Sequence, residues 1–112
     1  MLPASLRLKR AEIGQIMRRG QYIAGPALQL KLAPLNSGPS RFAVVVSSKV
    51  APKATARNLI KRRLRRHILA LRTELKPNSG GLIIAQTPLR TATDAELKAY
   101  LVTLLRRARL LS

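Results

Sequence analysis

The chain has 112 residues, and its 22 Lys and Arg residues against 4 Asp and Glu give a net charge of +18. That length fits one domain, residues 1–112, and a hydrophobic fraction of 46% excludes a disordered basic tail. The absence of cysteine excludes disulfides and thiolate metal sites and suits the cytoplasm, where we expect the protein to act.

The N-terminal region predicts one amphipathic helix. Residues 1–8 are expected to be extended, because Pro3 disfavours an earlier helix. Between Lys9 and Arg19 the apolar residues recur at i, i+3 and i+4, and Gly20 supplies a stop signal. The stripe consists of Ile13, Ile16 and Met17.

The next region predicts strands. Residues 27–33 alternate between leucine and polar residues, which is typical of a half-exposed strand, and an earlier start at Tyr22 would be broken at Gly25-Pro26. Residues 34–40 are rich in turn formers. Phe42–Val46 is a continuous β-prone run, and we expect it to be buried on both faces.

A long basic helix is predicted from Thr55 to Arg72. At 100° per residue its apolar side chains cluster in one direction, and most of its basic side chains lie opposite. The apolar stripe contains Ala56, Ile60, Leu64, Ile68 and Leu71, and the opposite side contains Asn58, Lys61, Arg62, Arg65 and Arg72.

The C-terminal third predicts a turn, a strand and a helix. Residues 77–81 have turn composition, and Leu82–Ala85 is a short apolar run expected to be a central strand. Thr93 and Glu96 have capping-box spacing before a helix with a leucine stripe. Three helices and a small sheet in this order predict an α/β sandwich with the sheet in one layer and the helices in the other.

The inventory of reactive groups is too small for a protein catalyst, so we expect no catalytic or metal-binding residue. A two-metal nuclease needs several converging carboxylates, and none of the four is spaced to converge. They are Glu12, Glu74, Asp94 and Glu96. The one histidine, His67, falls on the apolar side of the basic helix, which favours packing over catalysis.

The basic helix predicts binding to a polyanion. No carboxylate occurs between Glu12 and Glu74, so its cations lack acidic partners three or four positions away, which argues against a merely solvated charged face. Arginine grips phosphate in a bidentate way. Of the few aromatic residues Phe42 is expected in the core, whereas Tyr22 fits either base stacking or packing, so we expect backbone and shape recognition.

The segment Arg57–Arg65 resembles the signature of the bacterial ribonuclease P protein subunit. It reads Arg-Asn-Leu-Ile-Lys-Arg-Arg-Leu-Arg, and the signature is Arg-Asn-Arg, any residue, Lys-Arg, two residues, Arg. Leu2-Pro3, Ser47–Val50 and Leu82–Ala85 are similar to other parts of that family. The resemblance implies an α+β fold of the ribosomal protein S5 domain 2-like type. This is a two-layer α/β sandwich, α-β-β-β-α-β-α, with a left-handed β-α-β crossover.

The resemblance also implies a function. In that family a large catalytic RNA, with Mg²⁺, removes the 5′ leader from precursor tRNA. The small protein is a non-catalytic subunit that binds the RNA and the leader. The expected partners are therefore the catalytic RNA and precursor tRNA, with no membrane and no obligate protein partner.

Site residues follow from the resemblance position by position. The RNA-binding set is Arg57, Asn58, Lys61, Arg62 and Arg65, with Lys49 and Lys53 before the motif and Arg66 adding charge. The cleft for the leader is implied at Ile13, Met17, Lys31 and Tyr22, where aromatics are usual at the first two positions and frequent at Lys31. Leu59 replaces the second arginine of the motif, so a phosphate contact should be lost there.

Two other hypotheses remain open from the residues alone. A ribosomal or other structural RNA-binding protein would share the charge and could share the fold class. A DNA-binding regulator would use the basic helix for recognition, but the strand before that helix argues against a helix-turn-helix.

Overall fold

A computed structural model describes residues 2–112, and its elements follow the predicted order. Short 3-10 turns occur at Ala4–Leu6 and Thr87–Thr91. The helices and strands are α1 Arg10–Arg19, β1 Gln21–Ala24, β2 Leu28–Pro34, β3 Arg41–Val45, α2 Ala54–Leu71, β4 Ser79–Ala85 and α3 Asp94–Arg107.

The predicted helix boundaries are confirmed to within about two residues. Local hydrogen bonds explain where the helices begin and end. Before α1, the Lys9 N–H donates to Glu12 Oε1 at 2.8 Å, and at its end the Gly20 N–H donates to the Ile16 carbonyl at 2.7 Å. The predicted capping box of α3 is present, because the N–H groups and side chains of Thr93 and Glu96 bond reciprocally.

The four strands form one mixed sheet in the order β1-β2-β4-β3. β1 pairs with β2, and β2 with β4, in the antiparallel sense, whereas β3 and β4 are parallel. Parallel neighbours need a crossover connection, and α2 provides it. β4 is central, as predicted from its apolar run.

The two faces of the sheet carry different helices. The face that contains Leu30 and Ile83 packs against α2 and α3 in the main core. On the other face, Ile16 of α1 forms a smaller cluster with Leu8 and Leu82. The predicted sandwich is thus built by α2 and α3, while α1 differs from the expected single helical layer by lying across the opposite face.

Three local expectations were wrong. The N-terminal lead-in contains a 3-10 turn, and it forms an isolated bridge with β3 at Arg7. β3 is an edge strand with Val45 38% exposed, so it is not buried on both faces. Residues 79–81 belong to β4 rather than to a turn, because they pair with β2, and residues 80 and 81 also pair with β3. Glycine is needed at position 81, since a Cβ there would lie 2.8 Å from Phe42 Cδ1.

No helix within residues 2–112 has both the length and the apolar character needed to cross a bilayer.

Candidate nucleic-acid interface

One side of α2 carries a row of cations that no acid neutralises. Asn58, Lys61, Arg62 and Arg65 stand at i, i+3, i+4 and i+7, so they form one stripe about 10 Å long on a helix. Across residues 2–112 none of these four side chains has a hydrogen-bond or ion-pair partner. We refer to these four residues as the basic stripe. Its donors are free to bind phosphate.

Most of the basic stripe faces away from α3. Arg66, on the other flank of α2, donates to Asp94 Oδ1 of α3 at 2.7 Å. Lys61 and Arg65 lie about 140° and about 100° around the helix from Arg66, whereas Arg62 lies only about 40° from it and borders the same shallow groove. Directly after α2, Arg72 borders a groove shared with Pro39, which precedes β3. The basic stripe is therefore turned toward the β3 edge of the sheet.

Arg57, predicted to face RNA, also has a role inside the fold. Its Nη1 donates to the carbonyls of Ala51 and Pro52 at 2.9 and 2.7 Å, and the side chain is half-buried. These bonds fix the segment that enters α2. The structure thus assigns Arg57 a positioning role, and its contact with RNA stays a prediction.

Arg66 and His67 are joined to the N-terminus of α3 through one carboxylate. His67 is buried, with 9% exposure, and its Nε2 lies 3.2 Å from Asp94 Oδ1. Desolvation raises the pKa of Asp94, but the hydrogen bond to His67 and the charges of His67, Arg66 and Arg63 outweigh it, so the pKa lies below its usual value. The predicted packing role of His67 is confirmed, whereas the ion pair of Arg66 was not foreseen.

The two lysines before the motif occupy different surroundings. Lys49 is exposed in a turn closed by the Val50 N–H bonding to the Ser47 carbonyl at 3.1 Å. Lys53 immediately precedes α2 and borders a groove on the α3 side of that helix. The basic stripe does not include either lysine.

The face of the sheet that α1 covers only in part is the surface on which the resemblance implies the leader cleft, and we refer to it as the cleft. Tyr22 of β1 pairs with Lys31 of β2 in the strand register, so both side chains lie on this face. Tyr22 is 53% exposed, and Met17, at the C-terminal half of α1, is 47% exposed. About half of the Tyr22 side chain is exposed, so the ring is available for stacking, which stays a prediction.

Within this cleft Lys31 is tied to α1. Its Nζ donates to the Met17 carbonyl at 2.8 Å, which joins the sheet to the end of the helix. Ile13 is half-buried and packs against the small cluster around Ile16, so it supports the cleft more than it lines it. The four residues predicted for the leader cleft are thus gathered between α1 and the open face.

Two features of these surfaces escaped the sequence reasoning. The link from Arg66 to Asp94 spans 28 residues, and no local spacing reveals it. An apolar groove beside Leu59 was also missed, although an exposed leucine in a basic helix was a signal for it.

Comparison with known proteins agrees with the geometry. The family model described as Ribonuclease P matches residues 2–109. The ribonuclease P protein component of a Synechococcus sp. strain is 35% identical over 99% of this chain and 87% of its own length. That of Synechococcus elongatus is 34% identical, with 98% and 95% covered.

Solved structures show the same fold. The RNase P protein from Thermotoga maritima has a TM-score of 0.82 at 23% identity, covering 90% of this chain and 96% of that one. A mutant Staphylococcus aureus RNase P protein with defective mRNA degradation activity gives 0.86 at 21% identity, covering 96% and 91%.

A mixed sheet packed against a helix that carries the basic stripe, whose cations have no acidic partner within residues 2–112, is typical of a small α+β protein that binds a polyanion. The chain belongs to the ribonuclease P protein family. It is thereby the protein subunit of an endoribonuclease of tRNA processing, and its partner is the RNA of that enzyme. This assignment replaces the ribosomal and DNA-binding alternatives.

Proposed function

We propose that the basic stripe holds the RNA subunit of ribonuclease P and that the cleft receives the 5′ leader of precursor tRNA. The RNA, with Mg²⁺, breaks the phosphodiester bond, and the protein contributes affinity and position. The proposal places this work in the cytoplasm and requires no further protein. The observation that carries it is the basic stripe, whose three cations have no partner in the described part of the chain.

The relative placement of the two surfaces supports one continuous path for RNA. The basic stripe is turned toward the β3 edge, and Val45 of β3 is exposed on the same sheet face as Tyr22 and Lys31. RNA bound along α2 could therefore continue around β3 into the cleft. Base stacking there rests on Tyr22 alone among the cleft residues, so we expect charge and apolar contact to contribute most of the affinity for the leader.

The carboxylates of the protein do not suit a catalytic Mg²⁺ site. Mg²⁺ prefers oxygen ligands in a near-octahedral set. Between Leu2 and Ser112 no three His, Asp or Glu side chains are grouped to hold an ion. Glu12 is engaged with Arg41, and Asp94 with Arg66. We therefore assign the ions of the reaction to the RNA.

Reconstitution tests the proposal. The purified protein, freed of RNA, should leave precursor tRNA uncut, and the RNA subunit alone should need high Mg²⁺. Adding the protein should restore cleavage at low Mg²⁺. Cleavage by the RNA-free protein, or failure to stimulate the RNA at any salt concentration, would contradict the proposal.

Two variants test whether the stimulation depends on the basic stripe. The triple variant Lys61→Ala, Arg62→Ala, Arg65→Ala should lose stimulation at low Mg²⁺ while keeping its fold, because these side chains make no internal hydrogen bond or ion pair within residues 2–112. The control Lys98→Ala removes an exposed charge from α3, and it should stimulate the RNA normally. Equal activity of the two variants would remove the basic stripe from the mechanism.

A further inference from the structure

A groove of about 270 Å³ separates the N-terminal half of α2 from the Thr87–Thr91 turn, on the flank of α2 away from the basic stripe. Its lining contains no carboxylate. The floor and walls are aliphatic: Ala56, Leu59, Ile60, Leu89, Ala92 and Leu97. Three cations border it: Lys53, Arg63 and Arg90.

The cations around the groove are available to an anion. Lys53 and Arg90 have no hydrogen-bond or ion-pair partner for their side chains in the part of the chain that the structure describes. Arg63 lies close enough to Asp94 to lower the pKa of that carboxyl, but it forms no ion pair with Asp94. An aliphatic slot bordered by three such cations fits a ligand that has both a flat apolar part and a negative charge.

The groove is open to solvent at Leu59. Leu59 is 39% exposed, although it is a leucine on a helix whose exposed positions are otherwise mostly polar or basic. The volume is slightly below the ~300 Å³ of the smallest drug-sized pockets, so it suits a single base. Unpaired RNA bases can be splayed out and placed against arginine guanidinium planes, which Arg63 and Arg90 offer.

We infer that this groove receives one unpaired nucleotide of the RNA that α2 binds. The base packs against the exposed Leu59 above the buried Leu89 at the floor of the groove, and the adjoining phosphates contact Lys53, Arg63 and Arg90. The inference rests on the proposed function, because the RNA must already be held along α2. An acidic peptide is the less favoured occupant, since in the proposed function α2 already binds RNA through its basic stripe.

Titration with a mononucleotide tests base recognition directly. Adenosine monophosphate, followed by methyl chemical shifts, should move the signals of Leu59 and Leu89, and inorganic phosphate at equal charge should not. Leu59→Gln, which keeps the net charge, and Arg90→Ala should each weaken binding about tenfold. Arg10→Ala, on α1 across the sheet, is the control and should bind normally.

Equal methyl shifts with inorganic phosphate would reduce the groove to a plain anion site and overturn the inference. Absence of methyl shifts at saturating mononucleotide, or tighter binding of an acidic peptide than of the nucleotide, would also overturn it.

A second measurement uses the full complex. The chain has no cysteine, so Ala92→Cys provides one attachment point for a photo-crosslinker inside the groove. In the complex with the RNA subunit it should crosslink to one unpaired nucleotide. The inference about the groove would be refuted if RNA binding is intact but the crosslinks fall in paired segments, at many positions or nowhere. The proposed function would still stand. Normal RNA binding by the triple variant of the basic stripe would instead refute the proposed function.

Discussion

Removal of the Arg65 guanidinium is the sharpest test of how α2 binds RNA. Arg65 is half-exposed and has no partner among residues 2–112, so Arg65→Ala should remove a phosphate contact with little change in folding stability. A charge-assisted hydrogen bond at a partly solvated site contributes about 1–2 kcal/mol, so affinity for the RNA subunit should fall about 5- to 30-fold.

Salt dependence provides an independent magnitude for the same variant. Each phosphate contact contributes a slope of about −0.7 to −0.9 in log affinity against log salt. The three cations of the basic stripe should together account for a slope of about −2 to −3, and Arg65→Ala should reduce its size by nearly one. Filter binding or anisotropy with labelled RNA between about 50 and 200 mM KCl measures both quantities.

The neighbouring arginine is the matched control. Arg66 already donates to Asp94, so Arg66→Ala should cost less RNA affinity than Arg65→Ala and should lower the thermal stability more. An unchanged salt slope for a folded Arg65→Ala, or a larger affinity loss for Arg66→Ala, would refute the division of α2 into a binding flank and a structural flank.

Three further predictions concern the core, the cleft and acid stability. Gly81→Ala should lower the free energy of unfolding by about 1–3 kcal/mol in denaturant titration, because the new Cβ would lie 2.8 Å from Phe42; unchanged stability would contradict the close packing. Tyr22→Ala should weaken binding of precursor tRNA by about 1 kcal/mol without affecting mature tRNA, since only the precursor has a leader to stack; equal losses would exclude the cleft. The pKa values of Asp94 and Glu96 are lowered on folding, the latter mainly by the Thr93 N–H, so stability should be level near neutral pH and decline as the pH falls below about 4. Thermal melts from pH 3 to 7 check this, and Asp94→Asn should flatten the decline.

Periodicity was sufficient for the elements whose burial follows one helix face. The stripe around Ile60 and the leucines of α3 were predicted and are buried, because a helix presents a fixed face to a core whatever the rest of the fold. The strands were harder. Ser79–Gly81 has turn composition, but its glycines are required by close packing against Phe42 and Ile16, which only tertiary structure reveals.

The cleft could be predicted only through family resemblance. Tyr22 and Lys31 share a face because of the register of the β1–β2 hairpin. That register depends on the connection at Gly25–Ala27, where Ala27 has a φ of 62°, a left-handed conformation that an alanine does not signal. The alternation of apolar and polar residues predicts that β2 has two different faces, but it does not show which face α1 covers.

The placement of the acidic residues separates the structural cations from the binding ones. Of the four carboxylates, two join neighbouring elements, Glu12 with Arg41 and Asp94 with Arg66, and Glu96 caps the start of α3. Arg41 and Arg66 therefore stabilise contacts between elements, and the cations of the basic stripe stay without acidic partners within residues 2–112. A polyanion bound there encounters no like-charged neighbour on α2, since that helix contains no carboxylate. This distribution explains how a chain with a net charge of +18 can fold and still present uncompensated arginines to RNA.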